Sequence, residues 1–214
     1  MLIRDYINGH RDVQWHKTYL LEYYLKKHRI DCNSIKTVYD VGARDCIESL
    51  KFTELFKNCN VTAFECNPQT IEECRENSKK SNRINLIEKL VTDNPSNKSF
   101  YIKDSINIDE GVASMCIPWF PFKEIKVETI SLSDTIKADV DLLWIDVQGA
   151  ELQVLKSLKQ KINNIKTIYL EVDIESRYKT NSNEKTCIEL LNNFTIVERI
   201  QLGSNEVHTI LKHV

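Results

Sequence analysis

Glycine and proline are scarce in this chain, with five glycines and four prolines in 214 residues. Long flexible linkers draw on such residues, so their shortage argues for nearly continuous secondary structure. No C-x-x-C pair occurs among the seven cysteines, Cys32, Cys46, Cys59, Cys66, Cys74, Cys116 and Cys187. An odd, scattered set suits neither a disulfide framework nor a zinc site and predicts reduced thiols packed as small hydrophobes. No apolar run approaches the roughly 20 residues that a membrane helix needs. The longest, Val140 to Val147, is interrupted by Asp141 and Asp146. Met1 to His10 is polar and charged rather than leader-like, so the expectation is a soluble, intracellular, cytoplasmic protein with no transmembrane segment. An excess of one charge is also missing: 29 basic against 31 acidic residues give −2. Without a basic stripe to follow phosphates, nucleic acid is not expected as a partner. Nothing in the sequence points to an oligomeric state.

What the chain does have is alternation. Arg4 to Arg29 shows helical spacing, with Trp15, Tyr19, Leu20, Tyr23 and Tyr24 recurring every three or four residues. Residues 1–35 read as an N-terminal helical extension and 36–214 as one domain. Strands are predicted at Thr37–Val41, Asn60–Glu65, Ile84–Val91, Leu142–Val147 and Ile165–Val172, with a short one at Ser99–Ile102. Helices are predicted between them at Asp45–Phe56, from about Pro68 to Lys80, at Ala150–Leu158 and at Asn183–Asn193. Asp104 to Lys126 reads as irregular, with a strand edge at Val127–Ile130. The ending differs: Phe194–Ile200 and Val207–Lys212 are joined through Leu202-Gly203-Ser204-Asn205, and so short a link joins antiparallel neighbours. The fold class is therefore α/β, a Rossmann-like, mostly parallel seven-stranded sheet with a C-terminal antiparallel hairpin and helices on both faces.

In such a sheet, ligands gather at the carboxyl ends of the strands. Tyr39-Asp40-Val41-Gly42-Ala43 ends the first strand with a carboxylate, a glycine and a small residue, followed by Arg44. No G-x-G-x-x-G follows: Cys46 stands where a further glycine would serve a pyrophosphate, which weakens a nicotinamide-dependent or nucleotide-sugar oxidoreductase as the alternative. Ala63-Phe64-Glu65-Cys66-Asn67-Pro68 places a carboxylate at the end of the second strand, where it can accept both hydroxyls of a ribose. Thr92 and Asp93 close the third strand, where Asp93 can accept from an adenine amino group. Ile145-Asp146-Val147-Gln148-Gly149-Ala150-Glu151 ends the fourth, beside the first, so Asp146 is expected to face the same crevice as Asp40. Glu151 reads as a helix-start residue.

On these segments, together with Val127-Glu128-Thr129-Ile130-Ser131-Leu132-Ser133-Asp134, residues 36 to 212 resemble FkbM-type methyltransferases. The resemblance implies a class I fold, S-adenosyl-L-methionine as cofactor, and O-methylation of a sugar or polyketide hydroxyl, with a carbohydrate or glycoconjugate as acceptor. It departs at Cys46, often a glycine in the family, and at Gln148, often a glutamate. On this reading Asp40, Gly42, Ala43, Arg44, Glu65, Cys66, Asn67, Thr92, Asp93 and Asp146 hold the cofactor. Asp146 and Glu171 are the catalytic carboxylates, since a neutral hydroxyl needs a general base or a metal to become nucleophilic. A divalent ion, Mg²⁺ or Mn²⁺, would be held by Asp146, Glu171 and Asp173. Gln148, Ser114, Trp119 and His208 are expected near the acceptor, with Phe120 in the same aromatic segment. His10 and His16 read as solvated or packed. A methyltransferase acting on another small-molecule or a protein acceptor and a binding module without catalysis are the remaining alternatives; the latter predicts cofactor binding without transfer.

Overall fold

The computed structural model describes residues 18–104, 110–173, 178–202 and 206–214. His10, Trp15 and His16 lie outside the described residues, as do the side chains of Tyr19, Leu20 and Asp173 and the turn at 203–205. No helix among the described residues is long and apolar enough to cross a membrane.

The chain opens with α1 (Thr18–Lys27), followed by β1 (Thr37–Val41), α2 (Ile47–Leu55), β2 (Asn60–Phe64), α3 (Ile71–Ser78) and β3 (Ile84–Ile87). Short β4 (Leu90–Val91) comes next, then β5 (Lys98–Lys103), β6 (Phe122–Val127), β7 (Thr129–Ile130) and α4 (Leu132–Thr135). It closes with β8 (Leu142–Ile145), α5 (Glu151–Ser157), β9 (Thr167–Asp173), α6 (Glu184–Leu190), β10 (Phe194–Leu202) and β11 (Glu206–His213). Seven strands form one sheet in the order β10-β11-β9-β8-β1-β2-β3. Only β11 runs against its neighbours β9 and β10; the other pairs are parallel, as the sequence predicts.

Period-two alternation sends side chains to opposite faces, and each face has its own core. Tyr39, Val41, Leu143, Ile145, Ile168 and Leu170 meet Leu132 of α4 and Val154 and Leu155 of α5. On the other face Val38, Leu142, Trp144, Tyr169 and Ile210 meet Leu21, Tyr24 and Leu25 of α1 and Phe52 of α2. Trp144 lies flat on Tyr169, with ring centroids 3.5 Å apart and planes within 5°, and Phe52 meets Trp144 edge-on at 5.2 Å. Truncating an aromatic in such a position costs about 3–5 kcal/mol. α1, within the expected extension, thus contributes to the core.

Three readings of the sequence need correction. Ile84–Val91 is not one strand: Lys89 folds back to the Ile87 carbonyl at 2.9 Å, which separates β3 from β4, and β4 pairs with β7 instead. Pro68 lies in a turn ahead of α3 rather than in its first turn. The stretch up to Lys126 is not irregular throughout, because β6 pairs antiparallel with β5 over Lys98–Lys103. Its alternation was hidden by Lys123, Glu124 and Lys126, which are exposed. This hairpin packs Phe100 and Ile102 onto Leu90, with Ala113, Met115 and Ile125 around them, and stands as a wall beside the ends of β1 and β2. All seven cysteines are free thiols, five of them buried.

Candidate functional site

The carboxyl ends of β1, β2 and β8 are stitched together by backbone hydrogen bonds. Gly42 and Ala43 both donate to the Phe64 carbonyl at 3.0 Å, and Asp146 donates to the Val41 carbonyl at 3.1 Å. Gly42 has φ +89°, and a Cβ added there would stand 1.9 Å from the carbonyl oxygen of Asp146. Glycine is required at this position by the neighbouring strand end, and Gly42 also lines the cleft. Above the junction opens a cleft of about 290 Å³.

Glu65 sits on the floor of this cleft. The chain wraps around its carboxylate: Arg44 N–H donates to Oε2 at 2.7 Å, while Cys66 and Asn67 donate to Oε1 at 2.7 and 2.6 Å. Arg44 reaches this position with φ +51°. Burial pushes Glu65 up to about 7 although those three donors favour the charged form. Asp40 is 1% exposed and accepts from the Ser49 hydroxyl of α2 at 2.5 Å. Burial, aided by the nearby charges of Glu48, Asp146 and Glu65 and opposed by Ser49, raises it to about 8. Beyond Glu65 the lining becomes apolar, with Phe64, Leu90, Val91, Phe100 and Met115. A cleft with one carboxylate offering acceptor oxygens beside a flat apolar slot fits a ribose joined to a purine.

Asp146 follows β8 and lines the same cleft as Asp40, as expected. Gln148 donates its amide Nε2 to Asp146 Oδ1 at 2.7 Å. The other end of that amide, Oε1, is buried without a hydrogen-bond partner among the described residues. An orphaned acceptor on a cleft wall is a place for a ligand donor. Gln148 has φ +56°, and the next residue, Gly149, has φ +97° with the ring of Tyr178 at 3.0 Å from any added Cβ. Glu151 closes the turn by accepting from Gly149 N–H at 2.8 Å, which supports its reading as a helix-start residue.

Of the other expected site residues, Arg44, Cys66 and Asn67 line the cleft, whereas Ala43 packs behind it against Cys46, Ala63 and Cys74. Thr92 is buried and donates to Asp93 at 3.2 Å; neither lines the cleft, where Leu90 and Val91 take their place. Ser114 is buried in a backbone pairing with Tyr101, and Trp119 is 67% exposed beneath the Lys179 ammonium, 5.3 Å from the ring centroid. Glu171 and His208 lie opposite each other in the β9–β11 register, buried just outside the cleft surface. Glu206, on the same face as His208, reaches the cleft, as does Glu48 of α2. Neither was singled out from the sequence. For Glu206 the signal was its two-residue offset from His208, which an alternating strand carries to the same face.

A family model described as the methyltransferase FkbM domain matches residues 40–195. A 2-O-methyltransferase of Sinorhizobium fredii, NoeI, is 28% identical over 183 aligned residues, covering 78% of this chain and 75% of the relative. Among solved structures, a putative rRNA-methylase of Clostridium thermocellum superposes with a TM-score of 0.55 at 14% identity, covering 94% of this chain and 98% of the other. The N-methyltransferase NodS of Bradyrhizobium japonicum gives 0.53 at 12% identity, covering 92% and 97%. The two solved structures share the class I methyltransferase fold with this sheet. The strand order, the carboxylates at the ends of β1, β2 and β8, and a domain match over most of the chain converge: this protein belongs to the FkbM methyltransferase family.

Proposed function

We propose that this methyltransferase moves the methyl group of S-adenosylmethionine to a hydroxyl group of a carbohydrate. The observation that carries the cofactor reading is Glu65. Its carboxylate is fixed by three backbone donors at the end of β2, which leave acceptor capacity on Oε2, beside the apolar slot of Leu90, Val91 and Phe100. Ribose hydroxyls donate to that carboxylate, the purine enters the slot, and the cationic tail lies toward Asp40, Glu48 and Asp146. A sulfonium–amino-acid compound suits this group of carboxylates and would favour the ionised form of Asp40, which burial otherwise keeps protonated near neutral pH. A pyrophosphate would oppose that ionisation. When bound, S-adenosylmethionine supplies an electrophilic methyl group for in-line displacement.

The acceptor atom is taken to be oxygen, which the 2-O-methyltransferase relative supports, and the resemblance to sugar-modifying members supports a carbohydrate. As the new C–O bond forms, the hydroxyl proton must leave. Asp146 takes it, a reading supported by its position at the cleft surface and by Gln148, which fixes one of its oxygens. Gln148 Oε1 is placed to accept from a neighbouring hydroxyl of the same sugar, which orients the ring.

The test is incubation with methyl-labelled S-adenosylmethionine and a panel of sugars and glycans. Transfer to a hydroxyl, nearly abolished in Asp146→Ala, is the expected result. Label on protein or RNA instead would overturn the acceptor, and binding of cofactor with no transfer to any hydroxyl would favour a non-catalytic module.

A further inference from the structure

Where β9 and β11 run side by side, Glu171, Glu206 and His208 bring ligating atoms within 4.8 Å of one another. The register explains the meeting. His208 pairs directly with Glu171, and Glu206 comes two residues before it on the same face of the sheet.

His208 is 2% exposed, and its two nitrogens have different surroundings. Nδ1 lies 2.6 Å from the Tyr169 hydroxyl. Nε2 has no hydrogen-bond partner among the described residues and faces Glu206 Oε2 at 3.6 Å. Glu171 Oε2 is also 3.6 Å away, from Nδ1. These gaps exceed the 2.7–3.2 Å or so of a hydrogen bond, so the imidazole is not drawn onto either carboxylate. The Nε2–Glu206 pair stands at the separation of a nitrogen and an oxygen each about 2.1 Å from a common ion at an angle of roughly 120°. Glu171 approaches from the Nδ1 side and completes a cluster within 4.8 Å. Tyr169, meanwhile, provides what a metal-bound histidine uses on its far nitrogen, a polar partner that fixes ring and tautomer.

We propose that Glu171, Glu206 and His208, with Nε2 as the nitrogen ligand, bind a divalent first-row transition-metal ion such as Mn²⁺. One imidazole with two carboxylates favours such an ion over Mg²⁺ or Ca²⁺, which take oxygen ligands alone. Bound there, the ion ties β9 to β11 and holds Glu206, which lines the cleft, at its edge. This ligand set shares only Glu171 with the set expected from the sequence. The proposal does not depend on the identity of the cofactor or acceptor.

The experiment uses the full chain, stripped with EDTA and dialysed, then titrated with MnCl₂ while the free-ion signal is read by electron paramagnetic resonance. The wild type is expected to take up one Mn²⁺ and to unfold at a higher temperature with it. His208→Ala and Glu206→Gln are each expected to weaken uptake by at least about tenfold. Circular dichroism checks that each variant is folded, and His208→Gln replaces His208→Ala if the latter is not. A wild-type chain that takes up no Mn²⁺ overturns the proposal. So does wild-type affinity in the folded His208 variant. Calorimetry with S-adenosylhomocysteine on the same samples decides the cofactor reading separately, so either can fail while the other stands.

Discussion

The backbone carbonyl of Asp146 occupies the space that a side chain on Gly42 would need, with 1.9 Å between the oxygen and an ideal Cβ. The ends of β1 and β8, beside which Asp40 and Asp146 stand, are therefore in register only while residue 42 has no side chain.

Gly42→Ala combines that clash with a positive φ and is expected to destabilise the fold by about 2–4 kcal/mol. Thermal unfolding measures the loss, and calorimetry with S-adenosylhomocysteine should show weaker binding in whatever remains folded. An alanine variant of unchanged stability would mean that the two strand ends can part at no cost.

Glu65→Gln keeps the shape of the side chain but replaces one carboxylate oxygen with a donor that faces backbone N–H groups. Affinity for S-adenosylhomocysteine is expected to fall by at least about tenfold, or roughly 1.4 kcal/mol. Titration calorimetry reads this directly.

Asp40 and Glu65 are raised by burial to about 8 and about 7, from ordinary values of 3.8 and 4.5. The folded chain thus holds protons that the unfolded chain has released. The stabilisation from these groups is complete below the unfolded values and is lost progressively as pH rises from about 4 to about 8, where the folded groups have ionised. Unfolding midpoints of the ligand-free protein should decline across that window, and Asp40→Asn should flatten the decline. Ligand binding has the opposite sign. Ribose hydroxyls need the ionised form of Glu65, so affinity for S-adenosylhomocysteine is expected to rise as pH passes about 7.

Gln148→Glu would set a second carboxylate against Asp146 in place of the present amide donor. Turnover should fall, because the donor that fixes one oxygen of Asp146 is replaced by an acceptor that repels it. Initial rates with labelled cofactor measure the loss, and an unchanged rate would remove the amide as the group that holds Asp146.

Four of the parallel strands, β1, β2, β8 and β9, were legible because burial on both faces demands apolar and β-branched runs such as Val38 to Val41 and Leu142 to Ile145. Asp40, Glu65 and Asp146 were legible because a polar residue ending such a run stands out. Thr92 and Asp93 were expected near the purine because β3 was read through to residue 91. The fold-back at Lys89 instead directs Leu90 and Val91 into the slot. Glu206 escaped notice because its partner strand is distant in sequence, and only the β9–β11 register brings it beside Glu171. The β5–β6 wall was hidden by the charged outer side chains of β6.

Trp144, stacked on Tyr169, also borders the cleft, while Trp119 stands in solvent. The molecule therefore carries an intrinsic optical gauge. A shielded indole at the cleft wall changes its emission when a purine nucleoside arrives, and a second, wetted indole supplies a reference on the same chain. Occupancy can then be followed by ultraviolet fluorescence with no dye attached, and Trp144→Phe should silence the response.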